Sequence, residues 1–147
     1  MSLIRVTKEF SMEIAHALDH HDGKCKNIHG HSYQLAVTVL GTPSIETGNP
    51  KEGMVVDFAD LKTVVNEQVV NRFDHALVLY QNSPFATKID TTSNPRLVLV
   101  DYQPTCENML LEMVEAIRAN LPENVNLHSI RLRETHSSYA EWFVSDN

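Results

Sequence analysis

The sequence predicts an α+β fold in which strands joined by hairpins form a sheet and two helices cover one of its faces. Three observations lead there. Apolar and polar residues alternate near both ends of the chain, as in Phe10-Ser11-Met12-Glu13-Ile14 and from Leu127 to Glu134. Two central stretches, about Asp57 to Asn71 and Thr105 to Asn120, instead space their apolar residues three or four apart. The order strand, strand, helix, strand, helix, strand, strand sets the hairpins apart from the helices.

Phe10 to His16 has apolar side chains at most even positions, so it reads as a half-buried strand with His16 closing its inner face. Tyr33 to Leu40 is a second β-rich run, broken by Gly41-Thr42-Pro43-Ser44. These two pair as a hairpin around Asp19 to Asn27, a loop that carries His20, His21, Asp22, Gly23 and Cys25 and can swing a reactive group over a site. The first helix, N-capped by Asp57, shows one apolar stripe of Phe58, Leu61, Val64, Val65, Gln68 and Val69. Arg96 to Val100 is the next strand. Pro104 marks the entrance to the second helix, Thr105 caps it, Glu107 faces the positive end of its dipole, and Leu110, Leu111, Val114 and Ile117 form its buried face. Leu121-Pro122 ends it, and Leu127 to Glu134 with Ala140 to Val144 makes a closing hairpin. A sheet with open edges favours oligomerisation through edge pairing.

The 147 residues, 42% of them hydrophobic and undivided by any linker, are expected to form one domain, residues 1–147. There is no apolar run long enough to span a bilayer and no secretory pattern at the N-terminus, so a soluble, cytoplasmic protein with no membrane partner is expected. A formal charge of -7 with 12 scattered Lys and Arg argues against nucleic acid as a partner, so a substrate phosphate would be met locally, for example by Lys24 or Lys26. Cys25 and Cys106 can in principle form a disulfide, but without an export signal they read as free thiols.

The chemistry concentrates in Cys25-Lys26-Asn27-Ile28-His29-Gly30-His31. On an extended backbone His29 and His31 point the same way and can bind one ion, with His16 as third ligand. A lone buried histidine ordinarily bonds to backbone, but the His29-Gly30-His31 pair outweighs that for His16. Three imidazoles with a fourth position open describe a catalytic zinc rather than a structural one. Asp74-His75 supplies an imidazole with an orienting carboxylate for the thiol of Cys25, although adjacent Asp and His also occur as a solvated pair after a helix. Glu134 shares parity with Ile130 and Leu132, which turns its carboxylate inward. Its partner is then either a protein Arg or a ligand with an amidine-like edge, as in a pterin or guanine. Thr105 can touch a ligand at the helix N-terminus, where the first amides are free. Cys106 in that turn is a small packing residue whose position would favour the thiolate.

Phe10 through His16, the Cys25 to His31 run, Gly53-Met54-Val55-Val56-Asp57-Phe58, Phe73-Asp74-His75, Pro104 to Asn108 and Glu134-Thr135 together resemble the 6-pyruvoyltetrahydropterin synthase and 6-carboxytetrahydropterin synthase family, in order and over nearly the whole chain. The resemblance implies the tunnelling fold (T-fold). This is an antiparallel four-stranded sheet with two helices on one face, oligomerising into a barrel, usually as a dimer of trimers (a homohexamer) with active sites between subunits. It also implies zinc on His16, His29 and His31, Cys25 as general base activated by His75 and Asp74, and Glu134 as the pterin anchor. The short Cys25–His29 spacing is typical of the carboxy branch, which converts 7,8-dihydroneopterin triphosphate to 6-carboxy-5,6,7,8-tetrahydropterin, releasing acetaldehyde and triphosphate, on the way to queuosine and 7-deazapurines. Alternatives are the pyruvoyl synthase activity and a non-catalytic zinc-bearing pterin-binding protein. Met12, Ile14 and Cys106 depart from the residues common at those positions, and the bulk of Ile14 bears on substrate detail.

Overall fold

In the computed structural model, which describes residues 2–147, the first strand β1 (Ile4–His16) and the second β2 (His29–Gly41) form a long antiparallel hairpin. They are followed by α1 (Phe58–Val65), which runs on through a π-helical turn (Asn66–Val70) into a short α2 (Asn71–Phe73). Then come β3 (Ala76–Tyr80), β4 (Leu97–Val100), α3 (Cys106–Arg118), β5 (Asn126–Thr135) and β6 (Ser138–Phe143). No helix among the described residues is long and apolar enough to cross a membrane.

The sheet differs from the expected four antiparallel strands. Among the described residues six strands lie in the order β4-β3-β1-β2-β5-β6. The four strands β1, β2, β5 and β6 pair antiparallel, whereas β3 pairs parallel with β1 and β4 parallel with β3. β3 escapes sequence reading because Ala76-Leu77-Val78-Leu79-Tyr80 is a short apolar run directly after a helix and has no alternation to mark it as a strand. The helix between β1–β2 and β3 supplies the crossover that a parallel pair requires.

Strand parity sorts the two faces. Phe10, Met12, Ile14 and His16 of β1 and Tyr33, Leu35, Val37 and Val39 of β2 are buried toward the helices. The other face is polar and zipped by cross-strand pairs, Thr7 with Thr38 at 2.7 Å, Ser11 donating to Gln34 at 3.0 Å and Ser32 donating to Glu13 at 2.8 Å. A bulge opposite Thr38 and Val39 absorbs one residue of β5, so both Leu127 and Ile130 reach the core.

Both helices pack on the apolar face. Asp57 caps α1, its carboxylate accepting from the Ala59 amide at 2.8 Å, and Leu61, Val65 and Val69 form the buried stripe. Phe58, expected in that stripe, is half exposed, its ring 5.9 Å from the Lys8 ammonium of β1. Thr105 caps α3 by accepting from the Asn108 amide at 3.1 Å. The buried face of α3 is Met109, Leu110, Met113, Val114 and Ile117, so the expectation for Leu111 is corrected: it is 52% exposed. The spacing alone allows either face, and the two methionines fill the space under the sheet. Replacing Leu110 by Ala should therefore cost roughly 2–5 kcal/mol in urea unfolding, against roughly 0.5 kcal/mol or less for Leu111→Ala.

Candidate active site

The hairpin register creates the site. In the β1–β2 ladder His16 lies opposite His29, and Ile14 opposite His31. With the side chains of 16, 29 and 31 all on the apolar side, the three imidazoles meet at the end of the sheet, with ring centroids 4.6 Å, 5.4 Å and 5.0 Å apart. One ring nitrogen from each lies within 4.8 Å of the other two. Gly30 sits between the two histidines where backbones crowd: a Cβ there would lie 3.3 Å from the Ile14 carbonyl oxygen.

Backbone carbonyls orient two of the rings. His16 Nδ1 donates to Pro104 O at 2.7 Å, and His29 Nδ1 donates to Asn27 O at 2.7 Å. A carbonyl oxygen only accepts, so each Nδ1 carries the proton and each neutral ring presents an Nε2 lone pair. These two Nε2 atoms face each other at 3.1 Å. Two lone pairs at that distance repel, and an added proton is costly because burial, outweighing the Pro104 bond, lowers the pKa of His16. His31 Nε2 is buried and makes no hydrogen bond, with Glu134 Oε1 at 3.4 Å as its nearest charged neighbour. Imidazole nitrogens converging in this way are what a metal cation satisfies, and the carbonyl bonds to Nδ1 are the supporting contacts that metal-bound imidazoles ordinarily have. The three histidines can hold a metal ion.

Glu134, near the end of β5, turns inward as its parity requires and is only partly exposed. Besides facing His31, it accepts from the Tyr33 hydroxyl at 3.3 Å. No Arg pairs with it among the described residues. It lines a cleft of about 370 Å³ with Leu18 and His21 from the loop, Thr105, Cys106 and Glu107 from the start of α3, and Tyr139 on β6. Thr105 thus both caps its helix and lines the cleft. Cys106 donates to Leu132 O at 3.3 Å, and burial, followed by the nearby Glu134 charge, pushes its pKa up to about 12. The expectation that its helix position favours a thiolate is therefore corrected, because desolvation outweighs the dipole.

Cys25 and Cys106 are free thiols. Cys25 sits in a 3-10 turn (Lys24–Lys26) of the β1–β2 connection, pinned where Leu18 N donates to Cys25 O at 2.9 Å. His75 follows α2 in a left-handed conformation (φ 61°), which a β-branched residue would rarely adopt. Its ring pairs with Asp74 at 3.1 Å and remains 74% exposed. Asp74 is fixed by the Glu13 amide at 2.8 Å, which holds its carboxyl below the usual range. His75 opens onto a different cleft, with Glu13, Gly30 and Ser32. Among the described residues no hydrogen bond joins Cys25 to His75 or Asp74. Tyr33 and the Pro104 and Asn27 carbonyls were not anticipated. Tyr33 lies two residues beyond His31 on the same face, a signal that parity carried, whereas nothing local announces a carbonyl 88 residues from the histidine it orients.

The sequence profile of the family described as 6-pyruvoyl tetrahydropterin synthase matches residues 5–143. The chain belongs to this family. A 6-carboxy-5,6,7,8-tetrahydropterin synthase of Haemophilus influenzae is 34% identical over 143 residues, covering 95% of this chain and 99% of that protein. One from Synechocystis is 33% identical, covering 94% and 92%. Among solved structures, the 6-pyruvoyl tetrahydropterin synthase of Caenorhabditis elegans superposes with a TM-score of 0.69 at 23% identity, covering 97% and 96% of the two chains. An uncharacterized protein of Wolinella succinogenes gives 0.76 at 20% identity, covering 98% and 99%. The fold of this tetrahydropterin synthase family member is therefore the T-fold, with β3 and β4 extending the antiparallel strands.

Replacing His29 by Ala should lower metal affinity by roughly 100-fold or more, because removing a ligand costs at least as much as removing one of its supporting contacts. Metal content after dialysis measures this, and full retention would exclude His29 as a ligand.

Proposed function

We propose that this protein is a zinc-dependent 6-carboxytetrahydropterin synthase. It would take 7,8-dihydroneopterin triphosphate and water to 6-carboxy-5,6,7,8-tetrahydropterin, acetaldehyde and triphosphate, an early step toward queuosine and 7-deazapurines. The observation that carries the reading is the juxtaposition of His31 and Glu134 at 3.4 Å, which sets a ring-binding carboxylate beside a three-imidazole donor set in one site. The carboxy branch is favoured by the curated relatives bearing that name and by the three residues between Cys25 and His29.

His16, His29 and His31 would hold the zinc. Bound there, zinc supplies a Lewis acid that makes the carbon-bound proton beside a substrate hydroxyl easier to remove. Glu134 receives the amidine-like edge of the pterin through two parallel hydrogen bonds and fixes the ring over the histidines. Thr105 lines the same cleft and adds a polar contact at the start of α3. Cys25, as thiolate, removes the side-chain proton. The electron pair left on the side-chain carbon passes into the ring imine, which takes up a proton, so the ring is reduced as the side chain is oxidised and no nicotinamide is needed.

His75 with Asp74 activates the thiol. The exposure of His75 and the absence of a bond to Cys25 favour a pair contributed by a neighbouring copy, in keeping with a homo-oligomer, a dimer of trimers, whose sites lie between subunits. A cytoplasmic location fits a pathway that starts from a nucleotide-derived pterin.

Incubation of the zinc-loaded protein with dihydroneopterin triphosphate, with products read by mass and acetaldehyde assayed, tests the reading. Carboxytetrahydropterin with acetaldehyde is expected. A pyruvoyl product would instead assign the sister activity, and tight binding without turnover would make the protein a pterin binder. Cys25→Ala should retain its metal and lose turnover by roughly 100-fold or more, the scale of a positioned acid-base group. Normal turnover in that variant would remove Cys25 from the chemistry.

A further inference from the structure

Tyr33 is a buried polar residue that the proposed reaction does not use. It has no exposed surface, and its ring meets His16 and His31 edge-on, with centroids 6.2 Å and 5.6 Å away. Its hydroxyl reaches past these rings and donates to Glu134 Oε2 at 3.3 Å. The other oxygen of that carboxylate, Oε1, is the one beside His31. Backbone geometry explains the meeting. β2 and β5 pair with Gln34 opposite Arg133, so one step further along the ladder brings Tyr33 and Glu134 face to face on the inner side.

A carboxylate at the end of a strand ordinarily rotates freely about its last bond. Here a donor on one oxygen removes that freedom. A tyrosine hydroxyl is ordinarily un-ionised at neutral pH, so it is available as a donor to Glu134 Oε2. The same ring fills the space beneath two of the three clustered imidazoles. Anchor and metal ligands are thereby referred to one rigid side chain that has only two rotatable bonds.

We infer that Tyr33 is a positioning residue which fixes the plane of the Glu134 carboxylate relative to the three-histidine cluster, so that a pterin ring is seated in register with the metal. This rests on the reading of Glu134 as the pterin anchor. Tyr33 touches neither the pterin nor the reacting carbon and acts only through Glu134. A purely space-filling role would need the ring but not the hydroxyl, which makes Tyr33→Phe the discriminating change.

The experiment is a double-mutant cycle on the zinc-loaded full-length protein, with 7,8-dihydroneopterin as the binding probe and zinc content and thermal melting recorded for each variant. Tyr33→Phe should weaken binding roughly tenfold, the effect of one hydrogen bond to a charged group, while keeping its zinc. Glu134→Gln should weaken binding at least as much. Adding Tyr33→Phe to Glu134→Gln should change affinity by less than about twofold, because the hydroxyl then has no carboxylate to orient. Equal losses in both backgrounds, or unchanged binding in Tyr33→Phe while Glu134→Gln binds poorly, would overturn the role of Tyr33 and leave the anchor standing. Unchanged binding in Glu134→Gln would remove the anchor and the inference together. Loss of zinc in Tyr33→Phe would show the hydroxyl to be supporting the metal site instead.

Discussion

The register of the β1–β2 hairpin is the constraint on which the rest depends. Because side chains alternate with a period of two, a slip of one residue would carry His29 and His31 to the polar face while moving Ser32 and Gln34 into the core. Burial of Tyr33, Leu35, Val37 and Val39 against the helices makes that slip prohibitively costly. The polar zipper of Thr7, Ser11 and Glu13 with their partners on β2 opposes it from the other side. The geometry of the three-histidine cluster is therefore maintained by the hydrophobic core, at the one end of the hairpin where the apolar side chains give way to imidazoles.

That end is electrostatically incomplete by itself. Two carbonyls commit His16 and His29 to tautomers whose Nε2 atoms oppose each other at 3.1 Å, and His31 Nε2 is left buried with no hydrogen-bond partner among the described residues. Folding into this arrangement carries a desolvation and repulsion cost, and a cation held by the three rings would relieve it, coupling metal binding to the stability of the hairpin end. The negative charge of Glu134 beside His31 acts in the same direction.

The second cluster is organised by a different device. His75 occupies a left-handed conformation because its amide bonds to Glu13 O at 2.6 Å while Asp74 bonds to the Glu13 amide, so one residue of β1 grips the turn from both directions. This turn joins α2 to β3, the strand that adds to β1 in parallel. The turn is thus fixed from both sides while its imidazole, paired with Asp74, stays open to solvent.

By itself the sequence determined whatever depends on periodicity and nearest neighbours. Parity placed His16, His29, His31 and Glu134 on one face, and local hydrogen bonding made Asp57 and Thr105 helix caps. Tertiary structure decided what depends on groups distant along the chain. β3 pairs parallel to β1 because a helical crossover returns the chain there, and an unalternating five-residue apolar run cannot announce this. Leu111 faces outward and Met109 and Met113 inward because the space under the sheet selects one of two equally periodic faces of α3. Cys106 remains a neutral thiol because desolvation, a property of the packed state, overrides its place at a helix N-terminus. The bond from His16 to Pro104 O and the contact from Tyr33 to Glu134 join residues 88 and 101 positions apart. No local pattern encodes such contacts, since they exist only once the core has brought the strands and α3 together.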